Sequence, residues 1–133
     1  MTSATLAENG HHVLCVDIEE AKINSLYDGI VPFYEPRLEE ILKSNIAGGR
    51  LNFSSEVSAG ISHGQVIFIA VGTPPLEDGS ADLSAVLAIA NLIGKHMSEP
   101  KIVVNKSTVP VGTSKVVQAA ISGELLSSVV FHF

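Results

Sequence analysis

The run His11–Lys22, HHVLCVDIEEAK, constrains the chain most, because it changes periodicity at a single residue. Val13, Leu14, Cys15 and Val16 form an uninterrupted apolar run, the pattern of a strand buried on both faces of a parallel sheet. The run stops at Asp17, and Glu19, Glu20, Ala21, Lys22, Ile23 and Leu26 follow at helical spacing. Asp17 therefore sits where a strand gives way to a helix. In open α/β sheets ligands bind outside the carboxyl ends of strands, and in dinucleotide folds an acid at the second strand end hydrogen-bonds the adenosine ribose. The same residue type also caps helices whatever the function, so position 17 alone leaves both readings open.

The same alternation recurs along the chain. Thr2–Asn9 has helical composition and Gly10 ends it. A second helix, Glu19–Tyr27, closes at Asp28-Gly29, and Ile30–Pro36 is a proline-bracketed connector. Leu38, Ile41, Leu42 and Ile46 mark an amphipathic helix ended by Gly48-Gly49. Leu51–Phe53 reads as a short strand, and Ser54-Ser55-Glu56 starts a brief helix through Ile61. Val66–Val71, VIFIAV, is the strongest strand signal and runs into Gly72-Thr73-Pro74-Pro75, a stiff loop that admits close backbone approach. Leu83–His96 is helical, Lys101–Asn105 is a strand leading into Lys106-Ser107-Thr108, Ser114–Ile121 is helical, and Ser128–Phe133 reads as a last strand. Strands separated by helical crossovers imply an α/β, doubly wound, Rossmann-like and mostly parallel sheet. Three polar strand ends, at Asp17, at Gly72-Thr73 and at Lys106–Thr108, are expected to converge on one crevice.

Composition sets the outer limits. A chain of 133 residues suits one domain, residues 1–133, and no second one. Apolar residues make up 46%, yet no run approaches the ~18 needed for a membrane span, so a soluble, cytoplasmic protein is expected. A net charge of −6 argues against a nucleic-acid partner. Cys15, the single cysteine, reads as a small strand hydrophobe and not as a nucleophile. His11, His12, His63, His96 and His132 show no metal-ligand spacing, so no metal is expected. A receiver-like phospho-signalling domain fails on content, because Leu51–Ser55 offers no phosphoacceptor acid.

The wording of the chain adds to its pattern. The runs GHHVLCVDIEEAKI, IVPFYEPRLEEIL, VIFIAVGTPPLEDGSADLSAV and VVNKSTVPVGTSKVV resemble the N-terminal NAD-binding domain of the UDP-glucose/GDP-mannose dehydrogenase family, from about Ser3 to about Ile121. The resemblance implies NAD-dependent oxidation of the sugar C6 alcohol of a nucleotide sugar to a carboxylate in two hydride transfers. The expected sugar donor is UDP-glucose, with GDP-mannose or UDP-N-acetylmannosamine types as alternatives, and the full-length enzyme is expected to be a homo-oligomer. By that likeness the cofactor-binding residues are Asp17 and Lys22 at the adenosine ribose, Gly72 and Thr73 along the cofactor, and Thr108 toward the nicotinamide. An acid at 17 with no arginine directly after it favours NAD over NADP.

The sequence also departs from the family. The family opens with a strand and a G-x-G-x-x-G turn that seats the pyrophosphate, and neither is in this sequence. The family's catalytic cysteine, with its supporting lysine and asparagine, lies beyond the last segment present here, so no catalytic residue is assigned to this chain. The sheet is thus expected to be incomplete at its N-terminal strand, leaving a gap of about two strand spacings, ~10 Å, between the strands that hold Val13 and Val66. A marginal, rearranged or complemented fold, weak NAD binding and no activity of its own follow as expectations, with a non-catalytic fragment as the alternative reading. Arg37 stands where the Y-E-P-G-L run has glycine, and reads as a surface variation.

Overall fold

A computed structural model describes residues 2–31, 34–125 and 131–132. The chain groups into two compact units, Met1–His63 and Gly64–Phe133, and each is taken by itself.

The first unit runs α1 (Thr2–Glu8), β1 (Val13–Val16), α2 (Glu20–Tyr27), α3 (Leu38–Ala47), β2 (Leu51–Ser54) and α4 (Val57–His63). β1 and β2 pair in parallel, with Val13 opposite Leu51 and Val16 opposite Ser54. Ala4 and Ala7 of α1, Ile23 of α2, Leu38 and Leu42 of α3, and Leu51 and Phe53 of β2 make one buried cluster. Leu38 and Leu42 are one turn apart, as the helical spacing demands.

A polar centre sits in that cluster. Asn45 is fully buried, donates through Nδ2 to Glu8 Oε2 at 2.7 Å and to Ile41 O at 2.8 Å, and accepts Arg50 Nε at 2.9 Å. Both polar side-chain atoms of Asn45 are thereby satisfied, which is the condition for such a network to be tolerated. On the outer edge of β2, the Tyr27 hydroxyl accepts the Phe53 amide at 3.0 Å and donates to the Phe53 carbonyl at 2.8 Å. Its ring meets that of Phe53 edge-on, with centroids 5.0 Å apart.

Arg37 corrects the sequence reading. It lies in left-handed backbone, φ 67°, as the residue that opens α3. A side chain there costs roughly 1 kcal/mol that glycine avoids, so position 37 is a conformational site and not a free surface variation. The connector Ile30–Pro36 includes Pro32 and Phe33, which lie outside the described residues.

The second unit runs β3 (Val66–Ile69), α5 (Ser84–His96), β4 (Lys101–Asn105), α6 (Thr113–Glu124) and β5 (Phe131–His132). Its strands are all parallel in the order β3-β4-β5. Of the last strand expected from the sequence, 128–130 and Phe133 lie outside the described residues. α5 buries Val86, Ala90, Ile93 and Gly94, and α6 buries Thr113, Val117 and Ile121, each a stripe of one-turn steps. The two helices touch at Gly94, where a Cβ would come within 2.4 Å of the Ile121 carbonyl oxygen. Lys101 is 3% exposed and its ammonium is held by Gly64 O at 2.7 Å and by Glu99 at 3.1 Å.

Parallel strands alternate with helices throughout, as the sequence implies, but β1-β2 and β3-β4-β5 form two sheets. Burial on both faces is not reached either. β1 is half-buried along its length, and in β3 the burial alternates. Val66 and Phe68, with Ile102 opposite Val66, stand 40–47% exposed, whereas Ile69 and Val103 on the other face are at 1%. One face of that pair is covered and the other is not, so a uniformly apolar strand behaves as a one-sided one.

Candidate functional site

Asp17 follows the last residue of β1 and precedes α2, because the apolar run ends there and two glutamates open the helix. Its amide stays in the ladder, donating to Ser54 O at 3.1 Å, so the backbone is fixed up to the carboxylate. One oxygen, Oδ1, accepts the Glu19 amide at 3.1 Å. The other, Oδ2, accepts the Lys22 ammonium at 2.7 Å. The helix cap itself is Glu19, so Asp17 stands two residues ahead of it, with one oxygen on the amide of the cap residue and the other in a charge pair. Lys22 reaches back because it lies near the start of α2, five residues on.

The carboxylate keeps about two of its four acceptor positions free, and its side chain is 29% exposed. Partial burial alone would raise the Asp17 pKa, but hydrogen bonds from Lys22 and from the Glu19 amide outweigh it and hold the carboxyl below its ordinary range. The bond to Asp17 raises Lys22 in turn. Both groups are charged across the neutral pH range.

In the second unit, the ends of β3 and β4 are laced together by hydroxyls. Thr73 Oγ1 donates to the Thr108 carbonyl at 2.7 Å, and Ser107 Oγ donates to the Val71 carbonyl at 2.8 Å. Lys106 N extends the ladder to Ile69 O at 2.8 Å, and Asn105 Oδ1 accepts the Ser107 amide at 3.2 Å. Two expected residues, Thr73 and Thr108, are thus brought into direct contact. Gly72 is not in positive φ, and a Cβ built on it meets nothing within 4 Å. The chain does not need glycine there for its own fold, and the space beside its Cα is open. The Pro74–Asp82 segment is a small hairpin, with Leu76 N bonded to Ser80 O and Asp82 N to Pro74 O.

Sequence reasoning set Ser107 at this strand end but missed its bond to the Val71 carbonyl, and it missed Asn105 as the side chain that holds the Ser107 amide. The signal was present as an Asn-x-Ser step just past a strand, which favours side chain to backbone bonding. It also missed Glu19, whose contribution is a backbone amide. A separate open cleft of about 370 Å³, lined by Ile102–Asn105 and the Val109–Ser114 side, contains none of the five expected residues. Cys15 is half-buried, and burial pushes its thiol pKa up, away from nucleophilic use. Among the described residues, no helix is long and apolar enough to cross a membrane.

Residues 1–130 match the NAD binding domain of the UDP-glucose/GDP-mannose dehydrogenase family. The chain belongs to that family. It is 44% identical over 129 residues to the UDP-glucose 6-dehydrogenase YwqF of Bacillus subtilis, covering 97% of this chain and 29% of that protein. It is 47% identical over 121 residues to the UDP-glucose 6-dehydrogenase of Pseudomonas aeruginosa, covering 91% of this chain and 27% of that one. Among solved structures, a UDP-glucose dehydrogenase from Pyrobaculum islandicum superposes with a TM-score of 0.90 at 37% identity, covering 98% of this chain and 31% of its own. A GDP-mannose dehydrogenase from Pseudomonas aeruginosa gives the same TM-score at 32% identity. The chain therefore spans less than a third of the length of these dehydrogenases, and what it holds is family NAD-binding domain.

Proposed function

We propose that this chain supplies the NAD-binding part of a UDP-glucose 6-dehydrogenase, which oxidises the C6 alcohol of UDP-glucose to the carboxylate of UDP-glucuronate. Among the solved structures the UDP-glucose dehydrogenase matches at 37% and the GDP-mannose dehydrogenase at 32%, and the 44–47% identity to bacterial UDP-glucose 6-dehydrogenases points the same way. The observation that carries the reading is the Asp17 carboxylate, fixed at a parallel strand end with acceptor positions left open. Bound NAD supplies the hydride acceptor for each of the two oxidation steps.

The chain's own residues bind and orient. Asp17 accepts the adenosine ribose hydroxyls, and the ion pair with Lys22 restrains the carboxylate. Gly72 leaves room for the cofactor to pass close to the backbone, and Thr73, through its bond to the Thr108 carbonyl, fixes the loop along which it runs. Thr108 stands toward the nicotinamide end. The reacting cysteine belongs to the remainder of the family's chain, so this chain alone is inactive, and without a glycine-rich turn its hold on NAD is weak. The complete enzyme is a cytoplasmic homo-oligomer.

Amide shifts on titration with NAD test the site. Saturable changes confined to Asp17, Lys22, Gly72, Thr73 and Thr108 are expected at high NAD concentration. Changes elsewhere, or micromolar affinity by calorimetry, would overturn the site assignment and the weak-binding expectation respectively. In the longer polypeptide, NADH formation with UDP-glucose and not with GDP-mannose or UDP-N-acetylmannosamine checks the substrate.

A further inference from the structure

Past the last backbone bond between β3 and β4, side chains take over the pairing. That bond runs from Lys106 N to Ile69 O at 2.8 Å. Beyond it the Val71 carbonyl is held by the part-buried Ser107 Oγ at 2.8 Å, and the Ser107 amide is itself held by Asn105 Oδ1 at 3.2 Å. The peptide between Val71 and Gly72 is planar and trans, so its N–H points opposite to its carbonyl. With the carbonyl turned toward β4, the Gly72 N–H faces the side of β3 that has no partner strand among the described residues. Gly72 is exposed, its amide donates to no acceptor among the described residues, and a Cβ built on it meets nothing within 4 Å. An open donor whose direction a neighbouring hydroxyl has already set is pre-organised for an acceptor.

We infer that Ser107 is a positioning residue of the cofactor site: through the Val71 carbonyl it aims the Gly72 N–H, which donates to an acceptor oxygen of the cofactor as it passes this loop. The inference rests on the proposed path of NAD along Gly72 and Thr73. Ser107 acts through the Val71 carbonyl and needs no contact with the cofactor, and Asn105 supports it by holding its amide. Thr73, bonded to the Thr108 carbonyl, ties the loop at the next residue and leaves the plane between Val71 and Gly72 to Ser107.

The test titrates the whole chain with NAD, following the amides of Asp17 and Gly72 and the Val71 carbonyl carbon by NMR. Wild type is compared with Ser107→Ala, Ser107→Thr, Asn105→Ala and Gly94→Ala. In Ser107→Ala the Val71 carbonyl resonance is expected to move before any NAD is added, and NAD to bind about fivefold more weakly, the worth of one hydrogen bond. Ser107→Thr keeps the hydroxyl and is expected to bind as wild type does. Asn105→Ala frees the Ser107 amide and is expected to give a smaller loss in the same direction. Gly94→Ala loosens the same unit near the C-terminal ends of α5 and α6 and is expected to leave NAD affinity unchanged, which separates lost aim from lost stability. Wild-type affinity in Ser107→Ala, a loss that Ser107→Thr shares in full, or an equal loss in Gly94→Ala overturns the inference. If Asp17 responds to NAD in wild type and Gly72 does not, the inference fails and the ribose reading stands. If Gly72 responds and Asp17 does not, the reverse holds, and silence of both removes the proposed site and the inference together.

Discussion

The two units close their strand ends by different chemistry. At the end of β1, two opposite charges face each other on side chains that are 29% and 48% exposed. At the ends of β3 and β4, hydroxyls of Thr73 and Ser107 are spent on backbone carbonyls across the gap between two loops. An exposed ion pair contributes little to stability, because water competes for both partners and salt screens them. A hydroxyl to carbonyl bond inside a loop fixes backbone. The first unit therefore presents exposed charge at its strand end, and the second a backbone fixed by hydroxyls. The packing beneath follows the same division. In the first unit α4 approaches β1 through Gly60, whose added Cβ would meet the Val16 side chain at 2.5 Å. In the second, α5 approaches α6 through Gly94, whose added Cβ would meet the Ile121 backbone at 2.4 Å.

Gly94→Ala is the strongest way to break the comparison. Alanine is the better helix former by roughly 1 kcal/mol, but a backbone carbonyl cannot turn aside, and α5 and α6 must separate. A net loss of about 2 kcal/mol in urea denaturation is expected, with amide shifts spreading through α6. A stability equal to wild type would mean the helices are not in contact there.

Thr73→Val comes next. It keeps the shape and removes the donor to Thr108 O, so about 1 kcal/mol should be lost, and the Thr108 amide should shift while Asp17 does not. A Thr108 amide left in place would show that the loops hold their positions without the latch.

Lys22→Gln has the smallest expected effect on stability at neutral pH, under ~0.5 kcal/mol for a pair this exposed. Its signature lies in the titration. The folded Asp17 pKa is below its ordinary 3.8, so the contribution is present above that value and is lost as pH falls through the lowered one. Lys22 is raised above its ordinary 10.5, so its share is present below that value and is lost as pH climbs through the raised one. In Lys22→Gln the carboxylate titration, followed by NMR, should move up toward or past 3.8. A midpoint that stays put would leave the Glu19 amide as sole cause of the low pKa.

Local pattern carried much of this protein. The VLCV run followed by glutamates at helical spacing marked β1, α2 and the place of Asp17, the stripe of α3 is where periodicity sets it, and α5 and α6 form where helical runs were read. These features follow from side-chain alternation and turn residues, which act over a few positions and so can be read along the chain. Asn45 could not be read in this way, because its partners Glu8 and Arg50 come from α1 and from the residue ahead of β2. Nor could the Tyr27 hydroxyl on the edge of β2, 26 residues away, or the left-handed backbone under Arg37. The sequence by itself determined the order of strands and helices and which residue types stand at the strand ends. Only the tertiary structure decided that Asp17 is already held by Lys22 and that Thr73 is committed to Thr108, because a hydrogen bond depends on distance and direction that composition and spacing do not contain.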